Sequence, residues 1–261
     1  MITENKVDLE TLTNRQIYEM RHFDRLAKKV AQEDLSAIFD APLNHSDSYV
    51  RFATSRILPV KDLVVLDYVC GFNGNAVFLA RNGAAQVHSF DISLETLKIL
   101  EAALEVNPLN GNIRLRHAAA EQLPYDNESF DLVYGNSALH HVDLQKAVPE
   151  IYRVLRKGGK AVFTEPLGEN LALELIRRFV PYKDKIPRTP YEQPIKRSDI
   201  ALIKRIFPNT DVTEFDFTAG LLRFFRKSGE YLLLERMDGF IREHFPVLRD
   251  YFRYVVIEMR K

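Results

Sequence analysis

The sequence predicts an α/β fold in which a mostly parallel, seven-stranded sheet is covered by helices on both faces. Short apolar segments alternate with segments of helical period along most of the chain. Residues 63–93 follow the order strand, glycine turn, helix, strand and acid, which is typical of a nucleotide-binding βαβ unit. The 261 residues suffice for one large domain, and no linker rich in Pro, Gly or Ser divides them.

The first part of the chain is predicted to form a helical cap, residues 1–58, in front of an α/β domain, residues 59–261. Apolar residues recur at three-to-four spacing over residues 12–20 and 22–37. Asp47 is then suited to cap a further helix at residues 48–58. The spacing favours helices outside the sheet, either as a cover for a site or as a plain packing pair.

The βαβ unit carries the most specific signal. Its first strand, residues 63–66, ends in Asp67, and the following turn contains Gly71 and Gly74. Glycine lets the backbone approach a ligand closely, and the helix at residues 76–81 presents free N–H groups at its start. Asp91 ends the next strand, twenty positions after Gly71, which is the spacing of an acid that accepts both ribose hydroxyls.

The remaining elements follow from the same periodicity and from their capping residues. Strands are predicted at residues 86–90, 113–117, 131–135, 160–165, 212–217 and 251–259. Helices are predicted at residues 94–106 with Ser93 as N-cap, 144–155, 170–180, 199–207 with Ser198 as N-cap, and 230–245. Residues 181–197 are rich in proline and charge, and we interpret this segment, Arg188 to Pro194 above all, as either a lid or an ordered surface loop.

The ends of these strands indicate where a ligand binds. Ligands of open α/β sheets lie beyond the carboxyl ends of the strands. Five polar or glycine positions fall at or just after such ends: Asp67, Gly71, Asp91, Asn136 and Glu165. Their convergence on one edge of the sheet predicts a binding site there.

The composition of the chain limits the kinds of molecule that it is expected to bind. Lys plus Arg and Asp plus Glu both number 36, so the net charge is zero, which disfavours nucleic acid or an anionic membrane as partner. The single cysteine, Cys70, excludes a disulfide framework, and the histidines lack metal-ligand spacing, so no metal is expected. No signal peptide or membrane span is predicted, and a cytoplasmic protein with a small-molecule partner is expected.

The central motif also resembles a known family. Val65-Leu66-Asp67-Tyr68-Val69-Cys70-Gly71-Phe72-Asn73 is similar to motif I of the class I S-adenosylmethionine-dependent methyltransferases, V-L-D-x-G-C-G-x-G. The resemblance covers residues 60–167 and continues through the following motifs: Asp91-Ile92-Ser93, Glu121-Gln122-Leu123-Pro124, Ser129-Phe130-Asp131-Leu132-Val133, Leu139-His140-His141-Val142, Arg153-Val154-Leu155-Arg156-Lys157-Gly158-Gly159 and Glu165-Pro166-Leu167. It implies a Rossmann-like fold with an antiparallel final strand, and N-terminal helices that often cap the active site.

The resemblance further implies a methyltransferase that acts on a small molecule, with S-adenosylmethionine as cofactor and S-adenosylhomocysteine as product. The cofactor-binding residues it implies are Asp67, Cys70, Gly71, Asn73, Asp91, Ile92, Ala120, Glu121 and Asn136. The candidate catalytic residues are His140, His141 and Glu165, because a histidine or carboxylate can take a proton from an acceptor. Adjacent histidines are not expected to face one cleft together.

Three departures from the family pattern keep an alternative open. Val69 and Asn73 replace two family glycines, and Ala119 stands where the family often has an acid that binds adenine. Asparagine tolerates a positive φ, but a β-branched valine must strain the backbone or intrude on the cleft. The alternative is a methyltransferase fold with weakened or lost cofactor binding, serving as a binding subunit or catalysing another reaction.

A nicotinamide-dependent dehydrogenase is disfavoured, since the turn lacks G-x-G-x-x-G. The acceptor and a homo-oligomeric state are left open.

Overall fold

The structure of the chain is a computed structural model that describes residues 2–3, 7–30, 47–72, 74–105, 110–170, 175, 188–218 and 231–261. Several predictions fall outside these residues. They are most of the helix predicted at residues 170–180, the first part of the predicted lid, residues 181–187, the end of the N-terminal helical pattern, and the cofactor contact predicted for Asn73.

The described elements alternate as the sequence predicts. The strands are β1 (Ile2–Thr3), β2 (Val64–Asp67), β3 (Gln86–Asp91), β4 (Ile113–His117), β5 (Phe130–Asn136), β6 (Leu155–Pro166), β7 (Asn209–Phe215) and β8 (Tyr254–Arg260). The α-helices are α1 (Asn14–Val30), α2 (Ser48–Ile57), α3 (Asn75–Arg81), α4 (Leu94–Glu105), α5 (Leu144–Val154), α6 (Arg197–Ile206) and α7 (Tyr231–His244).

The strands form one sheet in the order β1-β4-β3-β2-β5-β6-β8-β7. All neighbouring strands are parallel except β8, which runs antiparallel to both β6 and β7. The seven predicted strands are all present, and the mostly parallel sheet with an antiparallel final strand is confirmed. The two-residue strand β1 adds an eighth strand at the edge, where Ile2 pairs with Leu115 of β4 and its N–H donates to Glu101 Oε1 at 2.7 Å. Two residues are too few to show a period in the sequence.

Helices cover both faces of the sheet, as expected for parallel strands. On one face, the buried residues of α5 and α6 pack on the sheet, among them Val148, Ile151 and Ile203. On the other face, α2, α3 and α4 contribute Ile57, Leu79 and Leu97 to a second buried cluster. Within the described residues, no helix is both long enough and apolar enough to cross a lipid bilayer.

Some boundaries differ from the predictions for local reasons. Strand β6 begins at Leu155 instead of residue 160, because Leu155 pairs with Phe130 before an irregularity in the register with β5. The prediction of Ser198 as an N-cap is wrong, since α6 begins at Arg197 and the N–H of Lys196 donates to Asp199 Oδ2 at 2.9 Å. The predicted N-cap Ser93 is confirmed, with its Oγ accepting the N–H of Thr96 at 3.1 Å.

Helix α1 lies across the carboxyl-end edge of the sheet, and polar contacts hold it there. Ser93 Oγ at the start of α4 donates to Asp24 Oδ1 of α1 at 2.7 Å. Arg15 Nε donates to the carbonyl oxygen of His141 at 3.1 Å. The described part of the N-terminal region therefore covers the edge where the strand-end residues converge.

Candidate active site

A cavity of about 350 Å³ lies between α1 and the carboxyl ends of β2, β3 and β5. Its walls come from α1, from Val69, Gly71 and Phe72 in the turn after β2, from residues 90–92, from Ala118, Ala120 and Glu121, and from Asn136, Ser137, His141 and Val142. Seven predicted site residues line it: Gly71, Asp91, Ile92, Ala120, Glu121, Asn136 and His141. Four others do not: Asp67, Cys70, His140 and Glu165. The strand-end rule thus locates the cavity, although only some of the strand-end side chains reach its wall.

Asp91 is held at the tip of β3 by two backbone donors. The N–H of Gly71 donates to Asp91 Oδ2 at 3.0 Å, and the N–H of Ser93 donates to Oδ1 at 2.9 Å. Each oxygen accepts one hydrogen bond and keeps capacity for another. Burial raises the pKa of Asp91 to about 6, and the bonds from Ser93 and Gly71 offset part of this effect. Near neutral pH the carboxyl is therefore an ionised acceptor on the cavity wall.

The turn before Asp91 is strained at Val69. Val69 has φ of +52°, as Gly71 and Gly74 do with +51° and +63°. The chain has little freedom there, because the N–H of Tyr68 bonds to Tyr134 and the N–H of Cys70 bonds to Phe90. A left-handed conformation costs a non-glycine residue about 1–2 kcal/mol. The side chain of Val69 also lines the cavity, so both consequences predicted for it occur together.

Asp67 lies beneath this turn and is fully buried. Ser89 Oγ donates to Asp67 Oδ2 at 2.9 Å, and Asn75 Nδ2 donates to Oδ1 at 3.3 Å. Burial raises the pKa of Asp67 to about 7. Its contacts stabilise the turn and the start of α3 from below. Burial also raises the pKa of the Cys70 thiol, which is a small buried group next to this turn.

The raised pKa of Asp67 predicts how stability depends on pH. The folded protein binds a proton on Asp67 below about pH 7, whereas the unfolded chain does so only near pH 4, so this group's contribution to the free energy of unfolding grows as pH falls from 8 to 5. Asp67→Asn should therefore increase the free energy of unfolding over that of wild type at pH 8. At pH 5 this increase should be smaller, by on the order of 2–4 kcal/mol. Urea denaturation at both pH values measures this. A difference independent of pH would contradict the prediction.

Glu121 and Asn136 are each fixed by hydrogen bonds to neighbouring residues. Glu121 Oε2 accepts from Gln16 Nε2 of α1 at 2.7 Å, and Oε1 accepts the N–H of Asp143 at 2.9 Å. Asn136 Oδ1 accepts from Thr164 Oγ1 at 2.5 Å. Glu121 therefore ties the cap to the loop that precedes α5, and the amide group of Asn136 has one defined orientation.

The two adjacent histidines have different surroundings. His140 is buried, and its Nδ1 lies 2.6 Å from Glu165 Oε2. The other Glu165 oxygen accepts the N–H groups of Ala138 and Leu139, at 2.9 and 2.7 Å. His141 instead lines the cavity, and its Nδ1 lies 3.2 Å from Glu19 Oε2. Of the three candidate catalytic residues, His141 is the one on the cavity wall.

A helical cover was predicted from the sequence, but the residues of α1 that line the cavity were not among the predicted site residues. Gln16, Glu19, Phe23 and Leu26 all line the cavity. A signal was present, since Glu19 shares a helical stripe with Phe23 and Leu26 at spacings of four and seven, and a carboxyl on an apolar stripe is unusual. The described part of the predicted lid touches α1 as well, through the bond from Thr189 Oγ1 to Glu19 Oε1. No described residues form a group of three side chains that could hold a metal ion.

Comparison with known proteins identifies the class. Residues 66–163 match a family model described as a methyltransferase domain. The resemblance drawn from the sequence is thereby confirmed, and S-adenosylmethionine is the cofactor of the class I methyltransferases that it names.

Individual relatives agree with this class. The chain is 33% identical over 104 residues to sarcosine/dimethylglycine N-methyltransferase of Aphanothece halophytica, covering 40% of this chain and 38% of the relative. It is 32% identical over 139 residues to demethylmenaquinone methyltransferase of Alkalihalophilus pseudofirmus, covering 49% of this chain and 58% of the relative. The matches thus span less than two thirds of either relative.

Solved structures share the whole fold. The [4+2]-cyclase SpnF superposes with a TM-score of 0.62 at 18% identity, covering 96% of this chain and 97% of that chain. Geranyl diphosphate C-methyltransferase of Streptomyces coelicolor A3(2) has a TM-score of 0.64 at 14% identity, covering 95% and 98%. At such identities the likeness establishes the Rossmann-like fold.

Proposed function

We propose that this protein is an S-adenosylmethionine-dependent methyltransferase that acts on a small-molecule acceptor. The observation that carries the proposal is the pairing of Asp91 with the N–H of Gly71 on the wall of the cavity. This pairing couples the glycine turn of motif I to the acid that accepts ribose hydroxyls. The relatives' acceptors differ in chemistry, so none of them is assigned to this chain.

The cavity wall fits the parts of the cofactor. Asp91 offers two oxygens with remaining acceptor capacity for the ribose. Ile92, Ala120 and Val142 offer apolar surface for the adenine ring. Asn136, at the end of β5, would face the reacting end. The volume of about 350 Å³ lies in the range of small-molecule sites, about 300–1,000 Å³.

The bound cofactor supplies a methyl group on a sulfonium centre, so the chain's own residues chiefly align the acceptor with that methyl group and exclude water. Helix α1 covers the cavity and is tied down through Gln16 and Asp24. Glu165 and His140 position the loop that carries Asn136 and His141. His141, on the wall, is suited to take a proton from an acceptor.

Isothermal titration calorimetry with S-adenosylmethionine and S-adenosylhomocysteine tests the proposal directly. Micromolar binding of both is expected, followed by S-adenosylhomocysteine release when acceptor pools are added. Absence of binding to either ligand would refute it and favour the alternative, a fold that has lost its cofactor. A cytoplasmic location is part of the proposal, and light scattering would determine whether the protein forms a homo-oligomer.

Val69 supplies the specific observation that favours weakened cofactor binding over tight binding. Val69→Gly should raise the affinity for S-adenosylhomocysteine about tenfold, because it removes a side chain from the cavity wall beside Gly71. Stability should change by less than about 1 kcal/mol, since relief of strain offsets the flexibility of glycine. Calorimetry and urea denaturation measure the two effects.

Val142→Gly is the matched control for this prediction. Val142 also lines the cavity, but its φ of −112° is unstrained. The same atoms are removed there from surface proposed to contact adenine, so affinity should not rise, and stability should fall because no backbone strain is relieved. Equal gains in affinity from both variants would show that the total space of the cavity, and not the side chain of Val69, limits binding.

A further inference from the structure

We propose that Glu19 is a positioning residue that fixes His141 as the proton acceptor of the active site, and that the methyl acceptor therefore carries a proton on the oxygen or nitrogen that is methylated. The inference rests on the proposed function and deepens it. It assigns a role to the N-terminal helix beyond covering the cavity, and it narrows the class of acceptor.

The first observation is the burial of a carboxyl on the apolar stripe of α1. The side chain of Glu19 is 5% exposed and lies one helical turn before Phe23. Burying a carboxylate is expensive unless it is paired and hydrogen-bonded. Glu19 has two such partners: Thr189 Oγ1 donates to Oε1, and His141 Nδ1 lies 3.2 Å from Oε2. An apolar residue would pack against Phe23 at lower cost, so the carboxylate is explained by what it binds.

The second observation concerns the protonated nitrogen of His141. Burial raises the pKa of Glu19, but the hydrogen bonds from His141 and Thr189 outweigh it and hold that pKa below its usual value. An ionised carboxylate only accepts hydrogen bonds, so Nδ1 of His141 must be the donor. In the neutral ring, Nε2 then carries the free lone pair. Among the residues that the structure describes, none bonds to this nitrogen, and the ring forms part of the cavity wall.

The ring is held in place on its other sides. Phe23 packs edge-on against His141, with ring centroids 5.2 Å apart. His140 lies 4.1 Å away between centroids, and Arg15 donates to the carbonyl oxygen of His141. His140 provides a contrast, since its Nδ1 pairs with Glu165 while its Nε2 lies 3.9 Å from Glu192 and its ring does not line the cavity. Carboxylates flank both ring nitrogens of His140, whereas among the described residues His141 pairs with a carboxylate only at Nδ1.

The chemistry follows from this tautomer. A lone pair on the acceptor oxygen or nitrogen forms a bond to the methyl carbon, the carbon–sulfur bond breaks with its electron pair left on sulfur, and the acceptor proton moves to Nε2 of His141. The resulting imidazolium keeps its Nδ1–H bond to Glu19 and later releases the proton to solvent. Besides Glu19, the carboxylate of Asp91 and the ring of His22 lie near His141. An acceptor without such a proton would need no base.

The base also depends on three separate parts of the chain. Glu19 comes from α1, His141 from the loop after β5, and Thr189 from the segment before α6. The Nδ1–H tautomer is therefore favoured only while α1 and the Thr189 segment are docked. Proton transfer is in this way coupled to closure of the cavity, which keeps water away from the reacting groups.

The test uses the full chain labelled with ¹⁵N-histidine, with His141 signals assigned from His141→Gln. Imidazole ¹⁵N shifts report which nitrogen is protonated. We expect the Nδ1–H tautomer in wild type and a shift to the Nε2–H tautomer in Glu19→Gln, since the glutamine amide can donate to Nδ1. Glu121→Gln removes a carboxylate from the same cavity without touching His141 and should leave the tautomer unchanged. An Nε2–H tautomer in wild type would overturn the inference.

Steady-state kinetics test the acceptor class, with S-adenosylmethionine as methyl donor and panels of phenols, alcohols, secondary amines and thioethers as acceptors. Turnover is expected with acceptors that carry a proton on the attacked oxygen or nitrogen, and Glu19→Gln should lower kcat about 10–100-fold with little change in the KM of S-adenosylmethionine. Turnover confined to thioethers, or a kcat unchanged in Glu19→Gln, would overturn the inference while the proposed function stands. Failure of wild type to bind S-adenosylmethionine by calorimetry would refute the proposed function, and the tautomer measurement would still decide the role of Glu19.

Discussion

Asp91→Asn is expected to weaken binding of S-adenosylmethionine and S-adenosylhomocysteine by about 100-fold or more. Asp91 accepts the N–H of Gly71 on one oxygen and the N–H of Ser93 on the other. An asparagine keeps one acceptor oxygen, so its amide group would face one of these donors. Under the proposed function, the variant would thereby lose charge-assisted bonds to both ribose hydroxyls, at about 1.5–3 kcal/mol each, and would also disturb the turn.

Calorimetric titration of both ligands measures this loss, and urea denaturation shows whether the variant is folded. Asp211→Asn is the matched control, because Asp211 is an exposed acid on β7 that does not line the cavity. Its affinity should equal that of wild type. Retention of wild-type affinity by Asp91→Asn would remove the observation on which the proposed function depends.

The pH dependence of binding provides a second check on the same residue. The pKa of Asp91 is about 6, so the free wild-type protein loses the ionised acceptor as pH falls through 6. Affinity should therefore decline from pH 7 to pH 5 in wild type and change far less in Asp91→Asn, which has no carboxyl to protonate. Parallel declines in the two proteins would assign the pH effect to another group.

The residues that the sequence located correctly are those whose role depends on local geometry. The segment from Asp67 to Asp91 belongs to one βαβ unit, and the spacing within this unit places Gly71 beside Asp91. The strain at Val69 was predictable for the same reason, since flanking strand-end bonds dictate the backbone there whatever the side chain. Local pattern therefore predicted both the meeting of Gly71 with Asp91 and the strain at Val69.

The orientation of the strand-end side chains was not predictable in the same way. Asp67 and Glu165 reach the expected edge of the sheet, but each turns toward donors beneath the cavity wall. Buried donors near a strand end compete with any ligand for a carboxylate, and sequence spacing does not reveal which one prevails. The assembly of Glu19 with His141 joins residues 122 positions apart, so it depends on how α1 docks, which local periodicity does not determine.

Glu165→Ala is expected to destabilise the protein by about 3–5 kcal/mol, the largest effect on stability that the site predicts. Glu165 has no exposed side-chain surface and accepts three hydrogen bonds, from the N–H groups of Ala138 and Leu139 and from Nδ1 of His140. Alanine leaves all three donors buried without a partner, and each such donor costs about 1–3 kcal/mol. Glu165→Gln keeps an oxygen for the two backbone donors, so it should lose much less stability.

Urea denaturation of both variants measures the difference, and titration with S-adenosylhomocysteine tests the consequence for the cavity. Asn136 and His141 flank the segment that Glu165 holds, so the folded fraction of Glu165→Ala should also bind the cofactor product more weakly. Glu258→Ala is the matched control. Glu258 is a buried carboxylate on β8 that pairs with Arg56 of α2 and Arg260 of β8, and it does not line the cavity. It should lose stability but not affinity. If Glu165→Ala lost stability alone, the loop after β5 would be held by other contacts, and Glu165 would stabilise the fold without positioning the site.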